Sequence, residues 1–470
     1  MNPWEIPGFL EIRDGRLHID QVDAVDLASE HGTPLFVFSE SRIRHNIARL
    51  QRAGDAIPCP LKICYAAKAM STMGILQAVR EAGIDIEVNS GGELWKALNA
   101  GFTGEQIIFN GTSKEVWEIE NAINAGIYAI QVDSLYELSL VEETAKRRGK
   151  RANVSLRLVP EIESGTHSGL QTALLTSKFG MMPDEAFSAF HTYKDSPHLD
   201  LCGIHLHVGS QNPDPSVYSE ALVMLFDSMV RIFNETGTRL KHINLGGGFP
   251  VNYLNEGGPA FPAEQSEMFS ADFEPAAAVQ TAWQIVSNAA DDENARHLLD
   301  DITLLLEPGR SIIADAGICL TTVRNAKIRP VSETTDHQPL TTDHWLMTDA
   351  GFNILLSMET YKWYYLLISA TRASESHATM YKLAGPLCDG GDVYFDIEGM
   401  NRLPEHRLLP ENVGPGEVLA LLNCGAYSLA QASQYNGRFL PAVVLISSKG
   451  EVKHIRKRDS FEDLIANDIY

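Results

Sequence analysis

Lys62-Ile63-Cys64-Tyr65-Ala66-Ala67-Lys68-Ala69 is an apolar run that ends in a lysine. The run has the length and side chains of a buried strand, and Lys68 follows at its C-terminal end among small residues. An ammonium at the end of a core strand is costly unless it is paired or neutralised. For an isolated lysine, a side chain that snorkels out of the strand end is the commoner explanation. The chemical explanation is an amine of lowered pKa, held as a Schiff base to a carbonyl.

Outward from this run the same rhythm repeats. Apolar runs at Ile63–Ala66, Ile84–Val88, Ile107–Phe109, Tyr128–Val132, Val154–Val159, Leu201–Val208, Ile243–Leu245 and Ile302–Leu306 make eight. Between them lie stretches of helical periodicity, among them Met73–Glu81, Glu93–Asn99, Lys114–Asn124, Leu135–Arg148 and Val217–Glu235. Eight alternating units predict a (β/α)8 barrel. A doubly wound open sheet is the alternative that pattern alone allows, and the count of eight favours the barrel.

The flanks read differently. Phe9–Ile12 and Leu17–Ile19 enclose Arg13-Asp14-Gly15-Arg16, a hairpin turn signal, and Pro34–Phe38 is a further strand. Ser39-Glu40-Ser41 caps a helix with Ile43, Ile47 and Leu50 on its apolar face. After residue 310 helices become rare, and strands are expected at Thr321–Val323, Trp345–Met347, Val418–Leu422 and Ala442–Ile446. The predicted organisation is residues 1–38 as strands joining a β domain, 39–310 as the barrel, and 311–470 as the β domain itself. Two long insertions, Glu161–Ser177 and Asn252–Ala271, interrupt the barrel.

Composition narrows the function. The formal charge of −23 argues against nucleic acid or an anionic membrane as a partner. The six cysteines form no CxxC pair and show no metal-ligand spacing. The N-terminus lacks the basic and apolar regions of a secretory signal, and no apolar run reaches about 18 residues. A reducing cytoplasm is the expected location.

In a barrel, chemistry sits where strands end. Strand one ends at Lys68, and strand six in His205-Leu206-His207-Val208-Gly209-Ser210-Gln211. Strand seven ends in Asn244-Leu245-Gly246-Gly247-Gly248, and strand eight in Glu307-Pro308-Gly309-Arg310. Three successive glycines let backbone N–H groups approach an anion, although a plain tight turn is commoner. Ser210 and Arg310 would add a hydroxyl and a guanidinium to a phosphate. His207 offers a flat imidazole and Glu307 a carboxylate; taken singly, a structural histidine and a salt bridge to Arg310 explain them as well. Together, an imine-forming lysine, a phosphate cradle, a stacking group and an acid suit pyridoxal phosphate.

These motifs, with Gly385-Pro386-Leu387-Cys388-Asp389 and Gly425-Ala426-Tyr427, resemble in order and spacing the fold-type III pyridoxal-phosphate decarboxylases. These are the alanine-racemase-like barrels that include diaminopimelate, ornithine and arginine decarboxylases. The resemblance implies pyridoxal 5′-phosphate bound through Lys68, with His207 stacked on its ring and Glu307 paired with the ring nitrogen. Ser210, Gly247, Gly248, Gly309, Arg310 and Tyr427 would hold the phosphate. It further implies a homodimer with shared active sites, in which Cys388 reaches the partner's site and protonates the substrate carbon after carbon dioxide leaves. A buried core cysteine is the bland alternative for Cys388, and its turn-rich setting speaks against that.

The substrate is suggested by a departure from the pattern. Diaminopimelate decarboxylases resemble this chain around Asp349-Ala350-Gly351-Phe352-Asn353, then place an arginine that grips the distal carboxylate and a tyrosine four residues later. Here the arginine position holds Ser357, while Tyr361 is kept. Asp389 follows the cysteine where those enzymes usually carry glutamate. Asp349, Tyr361, Asp389 and Arg310 are therefore expected at the substrate, with the two aspartates facing a distal ammonium. The run Lys382–Asp392 and the ending Asp459–Asp463 with Asp468-Ile469-Tyr470 resemble bacterial D-ornithine/D-lysine decarboxylases. That resemblance implies D-ornithine or D-lysine going to putrescine or cadaverine. meso-Diaminopimelate, or a conjugated amino acid of a siderophore or antibiotic pathway, is the alternative. A racemase on the same fold and a non-catalytic homologue are the remaining rivals; the latter would be expected to lose Lys68 or Cys388.

Overall fold

The computed structural model describes residues 2–159, 177–254, 266, 268–330, 342–400 and 402–469. The expected insertion Glu161–Ser177 and the middle of the second insertion lie outside the described residues. The chain divides into two compact units, residues 44–250 with 272–312, and residues 1–43 with 251–271 and 313–470.

The first unit is a closed barrel of eight strands: Leu61–Ala66, Asp85–Val88, Ile107–Phe109, Ala129–Val132, Ala152–Arg157, Leu199–His205, His242–Asn244 and Thr303–Leu306. Each pairs in parallel with the next, and Leu304 opposite Leu61 closes the ring. Strands covered on both faces read as near-continuous apolar runs, which is why all eight are visible in the sequence. The helices that return the chain are set by local chemistry. Ser90 and Ser134 cap the helices Gly91–Asn99 and Leu135–Arg148 by accepting from the N–H groups of Glu93 and Glu137 at 3.2 and 3.1 Å. Gly126 and Gly149 end theirs in the left-handed conformation. Because all strands run the same way, every C-terminal end lies at one face of the barrel.

The second unit is β-rich. Its spine is the long strand Gly317–Pro330, buried in its first half and exposed in its second. The first half pairs with Leu35–Ser39 and Val418–Leu421, the second with Thr342–Thr348, and a register shift between Val323 and Asn325 marks the handover. Leu35–Ser39 lies between Gly317–Pro330 and Ala442–Ile446, so an N-terminal strand sits inside the C-terminal sheet. Residues Leu10–Arg13 and Arg16–Ile19 form the expected hairpin; both turn residues, Asp14 and Gly15, have positive φ (49° and 82°). With Val22–Asp23 it makes a separate three-stranded sheet, tied to the unit by Leu17 N–H donating to the Ala370 carbonyl at 3.0 Å.

Two expectations change. Residues 251–271 group with the β-rich unit and not with the barrel. Tyr253 and Phe269 pack edge-on against Trp363 at 5.1 Å each, an aromatic anchor that composition did not reveal. Strands Leu367–Ser369, Thr379–Ala384, Arg407–Leu409 and Val452–Arg456 were also not anticipated. Val452-Lys453-His454-Ile455-Arg456, for example, is polar and exposed, and becomes a strand by pairing with buried Ala442–Ile446.

Candidate active site

Lys68 sits in a short 3-10 turn, Ala67–Ala69, directly after the first barrel strand. The strand end is fixed from beneath by Ala66 N–H, which donates to the Pro308 carbonyl at 2.9 Å. Its side chain is 46% exposed, and its Nζ lies 3.8 Å from Oε1 of the fully buried Glu87 on strand two. The ammonium thus emerges at the barrel face beside a carboxylate.

Glu307, at the end of strand eight, is buried and held on both oxygens. Asn244 Nδ2 donates to Oε1 at 2.8 Å and Asn110 Nδ2 to Oε2 at 2.9 Å. Asn110 Nδ2 also donates to Glu87 Oε1 at 2.8 Å, so one amide bridges two carboxylates. Burial, and then the Glu87 charge, push the Glu307 pKa up to about 7, against the pull of Lys68 and the two amides. A carboxyl balanced near neutrality can share a proton with a ring nitrogen.

Two histidines leave strand six. His205 Nε2 stands 3.6 Å from Glu307 Oε2, beyond hydrogen-bond reach. His207 Nδ1 accepts from Gly247 N–H at 3.2 Å, which places the ring proton on Nε2. Burial, with the charges of Lys68 and Arg157, holds His207 well below the usual histidine range and therefore neutral. Arg157, at the end of strand five, is buried over the Phe179 ring at 4.3 Å.

The glycines have no room for side chains. A methyl group on Gly247 would meet the Glu307 carbonyl at 2.2 Å, and one on Gly248 the Gly209 carbonyl at 2.0 Å. Gly246 and Gly248 also have φ of 68° and 93°, conformations that side chains resist. The loops after strands six and seven are laced together by Asn212 N–H donating to the Gly248 carbonyl at 3.2 Å. Half-buried Ser210 lies on the first of these loops, and Gly309 and buried Arg310 follow strand eight.

In the β-rich unit, Cys388 is exposed whereas the other five cysteines are buried. It lies in the turn after Thr379–Ala384, with its N–H donating to Asn436 Oδ1 at 2.6 Å. Asp392, buried, accepts from Leu387 N–H at 2.8 Å and Phe352 N–H at 2.9 Å, joining the cysteine turn to the Asp349–Asn353 segment. Asp389 is exposed, and accepts from Gly391 N–H at 2.9 Å and the Tyr435 hydroxyl at 3.2 Å. Tyr361 ends the short helix Leu356–Thr360, and Tyr427 has φ of 56°.

Asp349 does not fit the expected substrate role. Its Oδ1 accepts from the Thr321 hydroxyl at 2.7 Å and Thr322 N–H at 3.0 Å; its Oδ2 accepts from the Thr33 hydroxyl at 2.6 Å and Arg324 Nε at 2.8 Å. The carboxylate is used up in joining two strands to residue 33. Asp349→Ala is expected to destabilise the protein by about 2–4 kcal/mol through its stranded donors, read as a lower urea midpoint.

Glu87, Asn110 and Arg157 were not singled out in the sequence. They end strands two, three and five, so the rule that found Lys68 and Glu307 also covers them. His205 and Asn244 stood inside quoted motifs without a role.

The donor set fits pyridoxal phosphate. An amine emerges beside a carboxylate cluster, an acid near neutrality is buried at the same face, and a backbone cradle bars every side chain. Among the described residues no cluster of His, Cys, Asp and Glu could hold a metal ion, and no helix is long and apolar enough to cross a membrane.

Comparison with known proteins agrees. Residues 43–314 match the pyridoxal binding domain of pyridoxal-dependent decarboxylases. Diaminopimelate decarboxylase of Methanocaldococcus jannaschii is 33% identical over 466 residues, covering 98% of this chain and 96% of that protein. That of Bacillus subtilis is 32% identical over 458 residues, covering 97% and 95%. The crystal structure of the M. jannaschii enzyme superposes with a TM-score of 0.82 over 98% of both chains, and a second one contains L-lysine. A match of this extent, over a barrel whose strand ends carry the fitting groups, shows that the chain belongs to the fold-type III pyridoxal-dependent decarboxylases and is an enzyme that uses pyridoxal 5′-phosphate.

Proposed function

We propose that the protein decarboxylates a diamino acid with a distal ammonium and no distal carboxylate, D-ornithine or D-lysine, to putrescine or cadaverine. The observation that carries this reading is Ser357. It occupies the position where diaminopimelate decarboxylases place the arginine that grips the distal carboxylate. Here the side chain is buried, and its hydroxyl donates to neutral acceptors, the Tyr427 carbonyl and Gln431 Oε1, both at 3.3 Å. A second carboxylate would lose charge-assisted hydrogen bonds of roughly 1.5–3 kcal/mol each. Exposed Asp389 accepts two hydrogen bonds and retains lone pairs for an ammonium. The D-configuration rests on the resemblance of Lys382–Asp392 and the C-terminal ending.

Whole-chain similarity favours a second reading, meso-diaminopimelate, the substrate that the relatives' names indicate. Carbon dioxide release with D- and L-ornithine, D- and L-lysine, L-arginine and meso-diaminopimelate separates the two. Release from the D-diamino acids is the expected result. Turnover of meso-diaminopimelate alone would overturn the first reading in favour of the second. Turnover of none would point to a conjugated amino acid.

When bound, the cofactor's ring accepts the electron pair left behind as carbon dioxide departs. In this reading Lys68 holds the cofactor and yields to the substrate amine, His207 lies against the ring, and Glu307 keeps the ring nitrogen protonated. Ser210, Gly247, Gly248, Gly309, Arg310 and Tyr427 hold the phosphate. Arg310 and Tyr361 also face the substrate. Cys388, exposed in the single chain, protonates the substrate carbon in the partner's site of a homodimer. Cys388→Ala is expected to slow product formation by about 10²–10⁴-fold. Mixing it with an inactive Lys68→Ala variant should restore activity if sites are shared; no recovery would argue for sites complete within one chain.

A further inference from the structure

Tyr218 lies on the helix Ser216–Thr236, and its side chain is fully buried. Its ring stacks on Phe249 at 5.0 Å and 12°, with Phe273 beside it at 5.5 Å. Phe249 directly follows the three glycines, so the stack carries the phenol to the cradle. A methyl group on Gly248 would stand 3.6 Å from the Tyr218 hydroxyl. Among the described residues this hydroxyl has no hydrogen-bond partner.

Phenylalanine would fill the same stack without burying a polar atom. An unsatisfied hydroxyl in a closed interior is unfavourable, so a partner is expected in the working protein. Burial pushes the phenol well above its ordinary pKa, so it stays a donor and needs an acceptor. The cradle beside it is built for an anion, and the acceptor-rich group that the cofactor brings is its phosphate.

We propose that the Tyr218 hydroxyl donates a hydrogen bond to the cofactor phosphate beside the glycine cradle, and so helps the protein select pyridoxal phosphate over pyridoxal. This rests on cofactor binding and not on the identity of the amino-acid substrate.

Tyr218→Phe keeps the ring and its stack. Wild-type and variant proteins, stripped of cofactor, would be titrated with pyridoxal phosphate and with pyridoxal, following the absorbance of the bound form. The dissociation constant for pyridoxal phosphate should rise roughly 10- to 100-fold in the variant, the value of one charge-assisted hydrogen bond. The constant for pyridoxal should stay as in the wild type, and the phosphorus resonance of the bound cofactor should move. Equal weakening of both ligands would mean a packing role, and unchanged affinity with an unmoved resonance would mean that the hydroxyl serves a buried water. Either result overturns the proposal.

Discussion

Lys68→Ala should eliminate carbon dioxide release, by on the order of 10³-fold or more, and leave no cofactor that borohydride can fix to the protein. The expectation follows from where the amine stands. Its strand end is locked by the Ala66–Pro308 hydrogen bond, and its Nζ emerges 3.8 Å from Glu87 at the face that also carries Glu307, His207 and the glycines. A lysine that merely snorkelled from a strand end would be replaceable at little cost. Borohydride reduction with mass measurement of the tryptic peptide containing residue 68 separates the two directly. A labelled peptide in the wild type and none in the variant is the expected pair, whereas label at another lysine would remove Lys68 from its role.

Glu307→Gln should lower turnover by about 10²–10³-fold while the protein still binds cofactor. Glutamine keeps the volume but not the proton. It also turns its own amide hydrogens toward Asn110 or Asn244, both of which donate in the wild type, so one of the bonds at 2.8 and 2.9 Å is lost. The cofactor-free protein offers a second readout. Because the folded-state pKa of Glu307 is raised from 4.5 to about 7, the folded chain holds this proton more tightly than the unfolded chain. Its contribution to stability is greatest below the unfolded value and falls as pH rises through that window, then levels off. Urea denaturation of the cofactor-free protein at pH 5 and pH 7.5 should show this decline, and the Gln variant should lack it. An equal decline in both would place the titration elsewhere.

Much of this was legible because it is local. A parallel strand covered on both faces must be apolar throughout, so Ile107–Phe109 and its seven counterparts announce themselves. Helix caps such as Ser90 and Ser134, and the left-handed glycines after the helices, mark where each unit ends. Once strand ends are known, Lys68, His207 and Glu307 follow, as do three glycines that only a backbone cradle requires. Ser357 and Cys388 were likewise visible, because a motif keeps its order along the chain.

Other features depend on residues far apart in sequence. Asp349 looks like a ligand in a list of carboxylates, but Thr33, 316 positions away, Thr321, Thr322 and Arg324 fill its acceptors. Val452–Arg456 is polar and becomes a strand because Ala442–Ile446 offers it a ladder. Asn110 is an ordinary loop asparagine until closure of the barrel brings strands two and eight to either side of it. Periodicity and spacing thus established the barrel, the lysine and the cofactor, since each is written in neighbouring residues. The charge state of Glu307, the commitment of Asp349 and the stranded hydroxyl of Tyr218 were decided by folding, because burial and hydrogen-bond partners are properties of the closed three-dimensional chain.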